Sequence, residues 1–365
     1  MPVEESIDKR GLAMRTLHPS KANSMVALLA AVFAIAGLTP RAGEAAASEP
    51  GPKEREAKLI EAAKKEEKVV YWCPGTAKDI EEVLTRFRQR YPFLKTEYWR
   101  AGSIELQQKL LSEARAGVYN PDLMCADIDV IVPIKSAGLI KKYDWPNTKG
   151  WRADYRDPEG YWVARHVVVA VIGYNTDLVP PAVAPKNWED LLQPKWSGEV
   201  LMPKEPDWVL QLWAVWGKEK TVKFLNDLAK NKPVLGPGHT ARAEMIASGA
   251  NKVDIRLALH TVLNLQAKKA PIEWVRTNPI LAKGTPVSIA QHAPHPNAAV
   301  LFADWYTSLE GQKAYQEATG FMMPHPEVRS PTSEGLRGLN VAIMPASMVA
   351  YATEVGKIYT ELFWK

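Results

Sequence analysis

Three short β-prone runs alternate with two amphipathic stretches between residues 68 and 126, and that alternation leaves few architectures open. Residues 68–73 form an apolar run, ending in Tyr71, Trp72 and Cys73, suited to a strand buried on both faces. Pro74 and Gly75 break it. Thr76 then caps a helix, with Asp79 three residues on, and Ile80, Val83, Leu84 and Phe87 share one face. Tyr91 before Pro92 ends that helix. Residues 96–99 predict a second strand. Ser103 opens a second helix with Ile104, Leu110, Leu111 and Ala114 inward and Gly117 as its stop. Residues 122–126 predict a third strand. Strand, helix, strand, helix, strand is the pattern of a parallel sheet with right-handed crossovers, hence an α/β chain.

Further along, residues 166–172 are an unbroken β-prone run, long enough to leave one domain and enter another, followed by Gly173 and Tyr174. Residues 286–290 predict a second crossing strand. Helices are expected over 221–230 and from about Thr240. A single long helix is expected over 298–318, carrying Leu301, Phe302, Trp305, Tyr306 and Leu309, with Gly320 as its stop.

The N-terminus carries an address. Residues 25–38 are apolar, preceded by Lys9, Arg10, Arg15 and Lys21, and followed by a small-residue stretch at 42–47. That order predicts a secretory signal peptide over 1–47, removed to leave a chain that starts near Ser48. The run is shorter than the roughly 20 residues a spanning helix needs. No cysteine adjoins the cleavage region to take a lipid anchor, so the expected destination is the periplasm of a Gram-negative cell.

Composition narrows the function. Lys and Arg number 46 against 41 Asp and Glu, a mixed and mildly basic surface that does not read as a nucleic-acid footprint. Cys73 and Cys125 end neighbouring strands. An oxidising compartment permits a bridge. Parallel neighbours seldom offer the geometry, so two buried thiols are the expectation. No CxxC, GxGxxG, Walker loop, GxSxG or HExxH is present. No enzyme, cofactor or resident metal is expected. Asp127 and Glu205 are the one carboxylate pair that a secreted enzyme would have to use.

Several segments carry a family resemblance: Asp122 to Met124, Gly138 to Tyr143, Gly173 to Asn175, Asn187 to Gly198, Ala293 to Ala299, and Ser308 to Gln312. In combination they resemble the extracellular solute-binding proteins of ABC importers, the group that includes ferric-ion, thiamine and polyamine binders, over about residues 53–330. The resemblance implies a type II two-lobe α/β fold. Residues 48–170 and 286–340 would form one lobe, residues 171–285 and 341–365 the other. Two crossing strands would act as a hinge, with Gly173 and Tyr174 within it, and ligand would lie in the cleft. The implied partners are a small-molecule ligand and the permease and ATPase of an importer, with no nucleic acid, and the implied state is a monomer.

Candidate ligand contacts are Tyr71, Trp72, Gly75 and Thr76 after the first strand, and Asp127 after the third. The facing lobe offers Glu205, Asp207, Trp208, His239, Thr240, His260 and Thr261. Arg242 reads as a surface residue. Where ferric binders carry paired tyrosines this chain has His260, Thr261 and Val262, and Gly75 stands at their usual histidine. Both departures count against a ferric site built on phenolates. Aromatic faces with carboxylates suit an organic cation, histidines with carboxylates suit a metal, and helix starts suit an anion. The expectation is a small organic solute stacked on Trp72 or Trp208 and held by Asp127, His239 and Thr240. A ferric binder, a secreted enzyme or a sensor subunit on the same fold are the alternatives.

Overall fold

Helix α1 (Pro52–Glu66) leads into β1 (Lys68–Trp72), and the computed structural model describes the chain from there to residue 364. The expected signal segment, 1–47, lies outside the described residues. The predicted alternation follows: α2 (Ala77–Arg90), β2 (Lys95–Trp99), α3 (Ser103–Arg115), β3 (Leu123–Cys125) and α4 (Ile128–Ser136). Thr76 caps α2 by accepting from the Asp79 amide, and Ile80, Val83, Leu84 and Phe87 are the buried face. Strands β2, β1 and β3 pair in parallel.

The long run is β4 (Val163–Asn175). Beyond it come β5 (Val200–Pro203), α5 (Asp207–Trp216), α6 (Lys218–Lys230), β6 (Val234–Gly236), α7 (His239–Ala247), β7 (Val253–Ala258), α8 (Leu259–Ala267) and β8 (Ile272–Trp274). Then follow β9 (Ile280–Ile289), α9 (Pro296–Thr307), α10 (Leu309–Thr319), α11 (Pro331–Gly335), β10 (Val341–Ile343) and α12 (Ala352–Phe363).

One ten-stranded sheet holds them, in the order β2-β1-β3-β9-β4-β7-β5-β6, with β10 on β9 and β8 on β4. Two parallel sets, β2-β1-β3 and β7-β5-β6, are thus joined through β9 and β4, which run antiparallel to each other and to β3 and β7. The C-terminal α12 packs on α5 and α6, while α1 packs along α9.

Two of the segments that carried the resemblance meet here. The buried Asp122 carboxylate accepts from the amides of Val70 and His295, each at 2.7 Å, and sits 2.8 Å from His295 Nδ1. It locks β1 and β3 to the start of α9. Glu66 accepts from the amides of Asn297 and Ala298, so α1 caps the same helix.

Five expectations need correction. The helix expected over 298–318 is two helices, because Ser308 turns extended and its side chain caps α10 at the Gly311 amide. A Cβ at Gly311 would collide with the Trp305 carbonyl. Ser103 opens α3 as expected, but Ile104 points out at 66% exposure while Leu106 and Leu110 are buried. Residues 287–289 pair with β3, so β9 runs between the two parallel sets at Lys283–Thr285, opposite His166–Val168, and not at 286–290. Arg242 is buried, because its guanidinium is bonded to Asp254 at 2.8 Å and to the carbonyls of Pro237 and Arg256. Cys73 and Cys125 form a disulfide with a Cα–Cα distance of 5.0 Å. Cys73 lies one residue past β1, its amide still donating to the Trp99 carbonyl, and the two Cα atoms meet ordinary disulfide spacing.

Candidate functional site

A cavity of about 780 Å³ opens where the carboxyl ends of β1 and β3 face the first turns of α7 and α8 across β4. Beside it lies a second chamber of about 610 Å³. The two share Gly102, Asp127, Val168 and His239 and form one cleft. Ligands of open α/β sheets bind in this position, beyond the carboxyl ends of the strands.

The cleft gathers most of the expected residues. Tyr71, Gly75, Thr76, Asp127, His239, Thr240, His260 and Thr261 line the larger chamber. Glu205 and Asp207 line the smaller one. Neither tryptophan reaches the cleft. Trp72 is 2% exposed and packs on Trp99 at 4.7 Å, because alternation along β1 turns it away from the face that carries Tyr71. Trp208 is 1% exposed, stacks on Trp188 and directs its indole nitrogen to the Tyr359 hydroxyl. Both belong to the core. Gly173 and Tyr174 sit in β4 past its pairing with β9, where β7 and β8 take over and the register shifts.

Backbone chemistry favours negative charge here. The first turns of α2, α3, α4, α5, α7 and α8 all contribute to the walls. Only α2 has a side-chain cap; Gly102, Asp127, Pro206, Gly238 and Ala258 make no such bond at the other five. The opening amides of α3, α7 and α8 are therefore free of side-chain acceptors and carry the positive end of the helix dipole, while the Asp129 and Asp207 carboxylates take amides in the first turns of α4 and α5.

Charged side chains missed in the sequence complete the site. Arg165 on β4 is 5% exposed and lines the larger chamber. Its Nη1 donates to Cys73 Sγ at 2.9 Å and the Tyr315 ring lies 5.6 Å away. Among the described residues it has no carboxylate partner, and its buried Nε has no acceptor. Tyr71, Tyr306 and Tyr315 surround it. Burial pushes the Tyr306 and Tyr315 hydroxyls upward, so both stay protonated donors near neutrality. Lys283 on β9 lies 3.2 Å from Asp127 and 2.7 Å from Asp207, tying the start of α4 to the start of α5. Burial alone would raise Asp207, but Lys283 and Arg256 hold it at about 2. Lys283 itself is raised: its two carboxylates outweigh the cost of burial.

Three histidines form the remaining wall. Phe321 lies between His166, stacked at 4.0 Å, and His260 at 4.2 Å; His239 faces His260 at 5.8 Å. Burial, reinforced by nearby cations, depresses all three: His239 to about 4, His260 to about 3, His166 well below 6.5. They are neutral imidazoles at pH 7. Among the described residues no three His, Cys, Asp or Glu side chains are placed to hold a metal.

Residues 120–337 match the family model described as bacterial extracellular solute-binding protein. The chain belongs to that family. It is 24% identical over 273 residues to an uncharacterised protein of Haemophilus influenzae, covering 67% of this chain and 74% of that one. The fold is similar to iron-bound HitA from Pseudomonas aeruginosa, with a TM-score of 0.68, 16% identity, and 81% and 99% of the two chains covered. It is also similar to AfuA from Actinobacillus pleuropneumoniae with fructose-6-phosphate bound, at a TM-score of 0.70, 21% identity, and 81% and 98% covered. The fold is accordingly the type II two-lobe form, and the protein is a solute-binding component of an ABC-type importer. No helix among the described residues is long and apolar enough to cross a membrane.

Proposed function

We propose that this solute-binding protein works in the periplasm, as a monomer, and captures a small organic anion for its cognate permease. The observation that carries the reading is Arg165: a guanidinium buried in the cleft wall with no carboxylate partner among the described residues. A buried charge without a counter-charge is costly, and a ligand anion supplies one. The uncapped helix starts around the cleft point to the same charge. The neutral histidines and protonated phenols add donors for hydroxyl or carbonyl groups. A cavity of about 780 Å³ suits an organic molecule better than a single ion. A ferric ion would lie beside that guanidinium, which repels it.

Residues 48–170 and 286–340 would form one lobe and residues 171–285 and 341–365 the other. This division is supported by α1 packing on α9 and by α12 packing on α5 and α6. Closure would occur about the Lys283–Thr285 and His166–Val168 stretch.

Calorimetry on protein stripped of ligand by unfolding and refolding tests the reading, with fructose 6-phosphate and ferric nitrilotriacetate as probes. The sugar phosphate should bind, and Arg165→Gln should weaken it by about 10- to 150-fold, the loss of a charge-assisted hydrogen bond. Tight ferric binding that survives Arg165→Gln but is lost in the Tyr306→Phe, Tyr315→Phe pair would restore the metal reading.

A further inference from the structure

The Cys73–Cys125 disulfide and Arg165 touch in the wall of the larger chamber. Cys73 lines that chamber, and Arg165 Nη1 donates to its Sγ at 2.9 Å. The other sulfur, Cys125 Sγ, accepts from the Tyr71 hydroxyl at 3.2 Å, and that hydroxyl lies 3.4 Å from the Tyr306 hydroxyl. All five side chains are buried. The two sulfurs therefore differ in company: Cys73 faces a cation and Cys125 a neutral phenol. The chain has no third cysteine to exchange with either.

The oxidation state of the bridge sets what Arg165 has left to offer. A disulfide sulfur carries no proton and no charge, so it accepts a weak hydrogen bond and leaves the guanidinium without a counter-charge. A reduced Cys73 is a thiol against a cation, the setting that favours thiolate. That thiolate would give Arg165 the partner it otherwise takes from the ligand.

We infer that the Cys73–Cys125 bridge is a redox gate on the anion site: oxidised, it leaves Arg165 to the ligand, and reduced, it lets Cys73 take the guanidinium in the ligand's place. The inference rests on the organic-anion reading and adds its control. The step requires a dithiol. The S–S bond breaks, the dithiol gives up two electrons and two protons and closes to its own disulfide, and Cys73 and Cys125 become thiols. Cys73 then releases its proton to solvent and pairs with Arg165. Cys125, hydrogen-bonded to the Tyr71 hydroxyl, keeps its proton.

Calorimetry with fructose 6-phosphate from pH 7 to pH 9 tests the gate on oxidised wild type, on Cys125→Ser, and on the double variant Cys73→Ser, Cys125→Ser. The single variant leaves a thiol against Arg165; the double variant puts there a hydroxyl that does not ionise. Tyr306 and Tyr315 stay protonated in this range and His166 stays neutral. The remaining groups around the pair, Tyr71, Asp79, Arg100 and Asp127, are common to all three proteins and cancel in the comparison. The second ionisation of the probe's phosphate, near about 6, lies below the range. Wild type and the double variant should hold their affinity within about twofold, while Cys125→Ser should lose at least about 10-fold as its thiol ionises. A second measurement needs no variant. Saturating fructose 6-phosphate should raise the dithiothreitol concentration that half-reduces wild type, read by thiol labelling, because ligand and thiolate compete for one guanidinium. Circular dichroism should show the reduced protein still folded. A Cys125→Ser affinity as flat with pH as that of the double variant, half-reduction unmoved by the probe, or unfolding on reduction would overturn the gate alone. Failure of oxidised wild type to bind the probe would overturn the organic-anion reading as well.

Discussion

Arg165 and Arg256 stand on strands whose other residues are almost wholly buried, and each displaces an apolar side chain that would have packed there at no electrostatic cost. Arg242, the third buried arginine of the cleft wall, shows the ordinary solution: Asp254 and two backbone carbonyls satisfy it. The histidines make a different point. Their folded values, about 4 for His239 and about 3 for His260, lie below the 6.5 expected once unfolded. Between pH 6.5 and about 4 the unfolded chain therefore binds protons that the folded chain refuses. The stability these groups permit is intact above pH 6.5 and is lost as pH falls through that window. Asp207, held at about 2, contributes stability above its ordinary 3.8 and loses it only as pH falls from there toward 2, outside that window. The ligand-free unfolding midpoint should fall from pH 7 to pH 4.5, and His260→Gln should flatten the dependence. A variant with the wild-type slope would show that His260 is solvated in the folded protein.

At the scale of elements, the sheet order explains why one lysine matters. Lys283 lies on β9 between the two parallel sets and bonds the residue that precedes α4 and the residue that opens α5. Lys283→Met would leave Asp127 and Asp207 facing each other with only Arg256 beside Asp207. Both are partly exposed, so the expected loss is on the order of 1–3 kcal/mol in urea unfolding, less than for a fully buried pair. An unchanged stability would mean that water already screens the two carboxylates. Much of this level was legible in the sequence. The Thr76 cap, the buried face of α2 and the long β4 run all follow from periodicity and turn chemistry. The single helix over 298–318 did not hold, since hydrophobic periodicity carries on through Ser308 while the close approach of Gly311 to Trp305 breaks the helix. The tryptophans misled for a related reason. Residue type suggests stacking, but strand alternation and helix packing decide which face a ring occupies. A usable signal did exist for the missed residues. Arg165, Arg256 and Lys283 each interrupt or border an otherwise apolar strand run, and a charge in such a place needs a partner.

For the whole molecule, family membership and fold are settled by residues 120–337 and by similarity to solved two-lobe structures, one iron-bound and one sugar-phosphate-bound. Structures so similar in fold with such different ligands show that architecture leaves the ligand open. The side chains that fill the cleft decide it. In this protein those are Arg165, which has no carboxylate partner among the described residues, neutral histidines and protonated phenols around helix starts that lack side-chain caps. The Cys73–Cys125 disulfide fixes the loops that carry Thr76 and Asp127 into the same wall. The central claim, an organic anion held on Arg165, is tested most directly by mass spectrometry of whatever acid releases from natively purified wild-type and Arg165→Gln protein. The account predicts an acidic organic molecule in stoichiometric amount from wild type and its loss from the variant. Iron, a neutral or cationic solute, or the same anion retained by the variant would contradict it.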